Sequence, residues 1–128
     1  MKITSENYVE SVLVTESPVN QDIINRLINP DTIRLLHGSL GLVTEAAELA
    51  DMLKKHIFYG KALDFPNAKE EIGDSMWYVG LIIDVLNTTF NEVLTINIAK
   101  LAKRYPEKFT EYAAINRDLE AERKILEG

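Results

Sequence analysis

Hydrophobic residues recur three or four positions apart along most of the chain, which is the spacing of one face of an α-helix. The pattern predicts helices over approximately residues 22–28, 30–58, 66–87, 89–105 and 117–126. Residues 8–14, "YVESVLV", are rich in β-branched side chains and fit either a strand or a short helix. Long antiparallel helices with short connections indicate an all-α fold, an antiparallel four-helix bundle.

Residues with known capping preferences mark the helix ends. Asn29 can cap the second helix with Pro30 at its first position, and Gly60 supplies its stop. Thr89 and Glu92 match the T-x-x-E capping box that opens the fourth helix. The segments between these signals are short, so neighbouring helices are expected to pack against one another.

The size of the chain limits its organisation. Its 128 residues, 46% of them hydrophobic, suit a single domain over residues 1–128 with its own core. A domain this small buries only about two-thirds of its unfolded surface, so oligomerisation to complete the bundle is expected.

Charge and cysteine content exclude several classes of function. The formal net charge of −6 argues against nucleic-acid and anionic-membrane partners, which attract basic surfaces. Nucleotides are not excluded, because divalent cations can bridge acidic side chains to phosphate. The absence of cysteine rules out disulfides, thiolate nucleophiles and sulfur-ligated zinc. The opening "MKITSENYVE" lacks an apolar signal-peptide core, so a cytoplasmic protein is expected, or one in the host cytoplasm if the source is viral.

Glu45 and Glu48 lie one turn apart on the second helix, and Gly38 and Gly41 share their face. A glycine inside a helix costs about 1 kcal/mol relative to alanine. The two glycines therefore indicate close approach by a ligand or by another helix.

Glu71 and Asp74 form a second acidic pair on the third helix. Neither lies on the polar strip of that helix, and their neighbours on the helix face include Tyr78 and Leu81. Burying an unpaired carboxylate costs several kcal/mol, and four acids facing one another would repel. A divalent cation removes both costs, and oxygen-only ligands favour Mg²⁺ or Mn²⁺. We therefore expect Glu45, Glu48, Glu71 and Asp74 to form a metal site, although either pair alone would be typical of a solvated helix face.

Other catalytic motifs are missing from the chain. Ferritin-like di-iron bundles need E-x-x-H, but Arg34 and Leu53 precede His37 and His56 by three residues. No H-E-x-x-H zinc motif, P-loop or G-x-G-x-x-G occurs, and no serine lies in a nucleophile elbow.

Three segments, "EAAELADMLKK", "KEEIGDSMWYV" and "NIAKLAKRYPEKF", resemble the MazG-like all-α nucleoside triphosphate pyrophosphohydrolases, especially the short versions of phages and bacteria. The resemblance runs from about Leu35 to the C-terminus. It implies a homodimer or homotetramer that hydrolyses nucleoside triphosphates between the α and β phosphates with Mg²⁺, giving the monophosphate and pyrophosphate for nucleotide-pool control. It also implies that the four acids bind the metal and that a glutamate helps to deprotonate the attacking water.

The resemblance extends to basic residues on the fourth helix. Asn97, Lys100 and Arg104 match the family pattern N-x-x-K-L-x-x-R and are expected to bind phosphates and sugar, unless they form a solvated basic strip. Tyr105 either joins them or packs at the helix end. Lys55, on the arc of Glu48, is a further phosphate candidate or a surface lysine.

His37 and Tyr78 are expected to open onto the space of the acids, where each contacts base or ribose or simply packs. Trp77 is expected to pack or to lie in a subunit interface, and Glu122 to pair on the surface or between subunits. Two other functions remain open, a dUTP- or dCTP-specific enzyme of the same fold and a non-enzymatic helical interaction module.

Overall fold

The computed structural model describes all 128 residues, and every regular element in it is an α-helix. The all-α prediction is confirmed. The helices are α1 (Ser5–Thr15), α2 (Gln21–Leu27), α3 (Pro30–Tyr59), α4 (Phe65–Val85), α5 (Phe90–Arg104), α6 (Glu111–Ile115) and α7 (Leu119–Glu127). The chain divides into two compact units, residues 1–33 and 34–128, so the expectation of one domain over the whole chain stays a prediction.

The first unit contains α1, α2 and the start of α3. Residues 8–14, which the sequence left open between strand and helix, lie in α1. The Asn20 side chain caps α2 by accepting from the Ile23 N–H at 3.0 Å. Asn29 caps α3 as predicted, because its Oδ1 accepts from the N–H groups of Asp31 and Thr32 at 3.0 and 3.2 Å.

In the second unit, two local features differ from the sequence prediction. α6 was not predicted, because its five residues are too few to show a helical period, yet Thr110 caps it by accepting from the Ala113 N–H at 3.1 Å. At α5 only half of the capping box forms. Thr89 accepts from the Glu92 N–H at 3.1 Å, but the Glu92 carboxylate accepts from the Thr88 hydroxyl at 2.5 Å instead of from the Thr89 backbone.

α3 and α4 run antiparallel and approach closely at two glycines. A Cβ added at Gly38 would lie 2.6 Å from Ile82 Cγ1, and one added at Gly41 would overlap the ring of Tyr78. The close approach that the glycines indicate is thus made by another helix. Because later residues of α3 meet earlier residues of α4, the same register carries Glu45 and Glu48 towards Asp74 and Glu71.

The second unit has few fully buried apolar side chains. Ile83 is the one buried large hydrophobic residue in the chain. Several hydrophobic residues of α3 are exposed, with exposed fractions of 44% for Leu36, 56% for Leu40 and 66% for Val43. These three residues, spaced four and three apart, form what we call the α3 stripe.

Arg104, at the end of α5, pairs with Glu122 of α7. Its Nε and Nη2 donate to the two Glu122 carboxylate oxygens at 2.8 and 2.7 Å, and Arg117 Nη2 donates to Glu122 Oε2 at 2.6 Å. Glu122 is only 3% exposed, so the prediction that it pairs on the surface or between subunits is wrong. The two guanidinium groups, Arg104 first, lower the pKa of Glu122 to about 2.

No single helix is long and apolar enough to cross a membrane, whereas α4 and α5 taken together, bent by 95°, would meet that test by length and composition alone.

The glycine contact predicts opposite effects for two alanine substitutions. We expect Gly41→Ala to lower the free energy of unfolding by about 1–3 kcal/mol, because the added methyl overlaps Tyr78. Gly73 of α4 has open space where a Cβ would sit, so Gly73→Ala should raise stability by about 0.5–1 kcal/mol through helix propensity. Urea unfolding measures both, and stabilisation by Gly41→Ala would contradict the close packing of α3 on α4.

The Glu122 network predicts a pH-dependent stability. Because the folded pKa of Glu122 lies below its ordinary value of 4.5, its contribution is fully present above about pH 4.5 and is lost as the pH falls towards 2. We expect Glu122→Gln to lower the Tm at pH 7 by several degrees, and the gap to the wild type to narrow below pH 4.5. Glu127→Gln, which removes an exposed pair with Arg123, is the control and should shift the Tm by no more than about 2 °C. A gap that stays constant with pH would count against the ion network.

Candidate metal centre

The contact between α3 and α4 brings three predicted acids together. One carboxylate oxygen each from Glu45, Glu71 and Asp74 lies within 4.8 Å of the others. Glu71 is 5% exposed, in agreement with its apolar sequence neighbours, and Glu45 is half-buried. Asp74 is exposed, so it is not buried as Glu71 is, although it borders the rings of Trp77 and Tyr78. We call these three residues the acidic cluster.

Glu48 lies next to the acidic cluster but is not a member of it. It is exposed, and its closest acidic partner is Glu71. The expectation that all four acids share a buried interior therefore holds fully only for Glu71. Whether Glu48 binds the same ion stays a prediction.

The carboxylates disturb one another's protonation. The pKa of Glu71 is raised, first by a hydrogen bond with Glu45 that requires a shared proton, and next by burial. The pKa of Glu48 is raised, first by a hydrogen bond with Glu71 and next by the negative charge of Glu71. These acids have no positive partner, so their ionised forms are less favoured than that of an ordinary glutamate. A cation would relieve the same repulsion, so an all-oxygen donor set of this kind fits a hard divalent ion.

Glu48 and Glu71 line a cavity of about 450 Å³ on one side of the acidic cluster. We call it the lysine cavity, because two lysines also line it. Its charged lining residues are Glu48, Asp51, Lys55, Lys61, Asp64 and Glu71. Lys55 thus borders the acids as expected, but its ammonium group is bound to Asp51, four residues earlier on α3. Asp51 also pairs with Lys54 at 3.2 Å.

Glu45 and Asp74 line a second cavity, of about 380 Å³, together with Trp77 and Tyr78. We call it the aromatic cavity. Tyr78 faces the acids as expected, and it also packs against Gly41. The His37 ring stands edge-on to the rings of Trp77 and Tyr78, with centroids 6.1 and 5.7 Å away. His37 does not line the cavity itself, so its role in binding stays a prediction.

The basic residues predicted on α5 line neither cavity. Asn97 is exposed and Lys100 is half-buried. Arg104 donates to Glu122, and its guanidinium lies 5.7 Å from the centre of the Tyr105 ring. Tyr105 also packs against Phe109, with centroids 5.5 Å apart. Within the chain the contacts of Arg104 and Tyr105 stabilise the end of α5. The binding of phosphate or sugar by all four residues stays a prediction.

The structure adds two residues to the surroundings of the acids. Lys61 lies in the loop after Gly60, where helical periodicity gives no direction for a side chain. Trp77, which is expected to pack or to lie in a subunit interface, follows Asp74 by three residues and lies on nearly the same helix face. It is 62% exposed and borders the aromatic cavity.

The described geometry agrees with a comparison against protein families. The model of the MazG nucleotide pyrophosphohydrolase domain matches residues 37–109, which is more than half of the chain. The match includes all four predicted acids, both cavities and α5. The resemblance seen in the sequence is therefore confirmed. Comparisons with curated proteins and with solved structures give no match.

The raised pKa values predict how the stability of the metal-free protein changes when Glu71 is replaced by a neutral residue. The ionised forms of Glu48 and Glu71 are disfavoured, so without a cation the fold loses stability as the pH rises through their raised pKa values. We expect Glu71→Gln to raise the Tm in chelator at pH 7 by about 2–5 °C.

Addition of Mg²⁺ or Mn²⁺ should then stabilise the wild type but not Glu71→Gln, because only the wild type keeps the ligand set. Glu70→Gln, which removes the exposed carboxylate next to Glu71, serves as the charge-matched control and should retain the metal response. Equal metal-induced shifts in the wild type and in Glu71→Gln would exclude this cluster as the metal site.

Proposed function

The chain belongs to the MazG nucleotide pyrophosphohydrolase family, and on that premise we propose that it hydrolyses nucleoside triphosphates with Mg²⁺ or Mn²⁺ as its cofactor. Water attacks at the α–β phosphoanhydride, and the products are the nucleoside monophosphate and pyrophosphate. We further propose a role in nucleotide-pool control in the cytoplasm, or in the host cytoplasm for a viral chain. Ribose and deoxyribose substrates both fall within the proposal.

The observation that carries this proposal is the buried Glu71 held within 4.8 Å of Glu45 and Asp74 without a positive partner. A structural carboxylate in such a position would be expected to have an arginine or lysine beside it, as Glu122 has. A carboxylate cluster without a positively charged side chain beside it is typical of a site that binds a cation from solution.

A bound divalent ion would neutralise charge on the phosphate oxygens and lower the pKa of the attacking water. In our proposal Glu45, Glu71 and Asp74 hold that ion. Glu48, at the exposed edge beside Glu71, accepts the proton of the attacking water. No cysteine, serine or histidine nucleophile is needed for this chemistry.

We assign the remaining predicted residues to substrate binding, and the structural support differs from one residue to the next. Tyr78 borders the acids directly, and His37 contacts it, so both belong to the nucleoside end of the proposed site. Lys55 borders the acids but is neutralised by Asp51. Asn97 and Lys100 lie on α5, outside both cavities, and Arg104 and Tyr105 are held in contacts of their own. We propose that these four residues reach substrate in an assembled oligomer.

We propose that the chain forms a homodimer or homotetramer. Support comes from the α3 stripe, whose Leu36, Leu40 and Val43 are each at least 44% exposed, and from Ile83 as the one buried large hydrophobic side chain. Apolar positions spaced four and three apart are those that pack one helix against another. A second copy of the chain covering this stripe would supply the core that one copy lacks.

A substrate screen separates the alternatives. The four ribonucleoside triphosphates, the four standard deoxyribonucleoside triphosphates and dUTP would be tested with Mg²⁺ for release of pyrophosphate. Turnover of several substrates is expected, whereas turnover of dUTP or dCTP alone would identify a pyrimidine-specific enzyme of the same fold. Release of inorganic phosphate instead of pyrophosphate would place cleavage at another bond. No turnover and no metal uptake by isothermal titration would indicate an interaction module.

Neutral replacements of two acids test the assignment of the site. We expect Glu48→Gln and Asp74→Asn each to reduce pyrophosphate release at least about 100-fold, since changes even to groups behind metal ligands cost 10- to 100-fold. Both residues are exposed, so the helix content seen by circular dichroism should not change. Asp84→Asn, an exposed acid on α4 that pairs with Arg34, is the matched control and should retain activity. Full turnover by both site variants would refute the assigned roles.

A further inference from the structure

The acidic cluster lies between two cavities of opposite character. Glu71 lines the lysine cavity, whereas Glu45 and Asp74 line the aromatic cavity. A molecule bound across the cluster would therefore meet lysines at one end and aromatic rings at the other. A nucleoside triphosphate has the same polarity, with a polyanionic end and a flat, aromatic end.

In the lysine cavity, three of the six charged groups already have a partner within the chain. Asp51 binds Lys54 and Lys55. The Asp64 side chain caps α4 by accepting from the Asn67 N–H at 3.0 Å. Once Glu48 and Glu71 are assigned to the proposed metal site, the one remaining charge is the ammonium group of Lys61, which takes part in no ion pair.

The backbone of Lys61 is held in place on both sides. Gly60, with a φ of +68°, turns the chain at the end of α3. The Lys61 N–H then donates to the Lys55 carbonyl at 3.2 Å, and the Lys61 carbonyl lies 2.7 Å from His56 Nδ1. These contacts fix where the side chain leaves the loop and leave its ammonium group free to bind an anion.

The aromatic cavity offers a surface for stacking instead of a charge. Trp77 is 62% exposed, and its ring stands edge-on to Tyr78 with centroids 5.1 Å apart. Tyr78 is itself held against Gly41 of α3. The indole therefore lies against its aromatic neighbours and still exposes most of its surface, on which a flat base can stack.

From these observations we propose that substrate lies across the acidic cluster in one orientation, with its β and γ phosphates bound by Lys61 and its base stacked on Trp77. The α–β bond then lies over the carboxylates, and pyrophosphate leaves through the lysine cavity. This inference rests on the proposed function, because it assumes a nucleoside triphosphate as substrate.

The two ends can be tested separately with the two reaction products. Titration calorimetry in Mg²⁺ would measure the binding of pyrophosphate and of a nucleoside monophosphate that the wild type produces. We expect Lys61→Ala to weaken pyrophosphate about 10- to 100-fold and to leave the monophosphate within about 3-fold, since hydrogen bonds between charged groups have this strength. Trp77→Ala should do the reverse, weakening the monophosphate about 5- to 100-fold.

Matched controls distinguish binding from structure. Lys108→Ala and Tyr112→Ala remove an exposed lysine and an exposed tyrosine that line neither cavity, and should change neither affinity. Lys61→Arg and Trp77→Phe should recover most of the lost binding. The metal-induced Tm shift and the elution volume in size-exclusion chromatography should match the wild type in every variant.

Several results would overturn the orientation while the proposed function stands. In each of them the wild type hydrolyses substrate. The orientation is then overturned by unchanged pyrophosphate affinity in Lys61→Ala or by unchanged monophosphate affinity in Trp77→Ala. It is also overturned if each variant shows the effect expected of the other. A change of oligomeric state in Trp77→Ala with intact monophosphate binding would assign Trp77 to a subunit interface. A wild type that hydrolyses no nucleoside triphosphate would refute the proposed function, and the orientation with it.

Discussion

The close approach of α3 to α4 is the contact on which the rest of the site depends. It is possible because Gly38 and Gly41 carry no side chain where Ile82 and Tyr78 pack. These two contacts fix the alignment of α3 along α4, and that alignment brings Glu45 close to Glu71 and Asp74. The glycines therefore act at a distance from the acids, by setting how far apart two rigid elements lie and how they are aligned.

Two buried glutamates in the same unit show how surroundings divide structural from functional acids. Glu122 is 3% exposed, and two guanidinium groups lower its pKa to about 2. Glu71 is 5% exposed, and its acidic neighbours and its burial raise its pKa. Burial is nearly the same in the two cases, so the sign of the neighbouring charge decides the outcome. The first acid is neutralised within the chain, whereas the second has no positive partner there.

Much of the fold and part of the site follow from local sequence rules. The long helices and the pairing of Glu45 with Glu71 and Asp74 could be predicted, because helical periodicity specifies which residues share a face. The partner of Arg104 could not, since Glu122 lies 18 residues away and only tertiary packing joins them. The position of Lys61 beside the acids could not be predicted for a different reason, because Lys61 lies in a loop and a loop has no helical period. The exposure of Asp74 and Glu48 depends on how the helices pack, which the pattern of one helix does not contain.

The ion network of Glu122 also bears on where the domain can be divided. The family match ends at residue 109, whereas the compact unit runs from residue 34 to residue 128. A chain shortened to the end of the match would keep every acid of the cluster and still lose the carboxylate that neutralises Arg104. An arginine left without that counter-ion at the end of α5 would have to turn towards solvent or towards another anion. The end of the family match and the end of the compact unit are therefore different places in this chain.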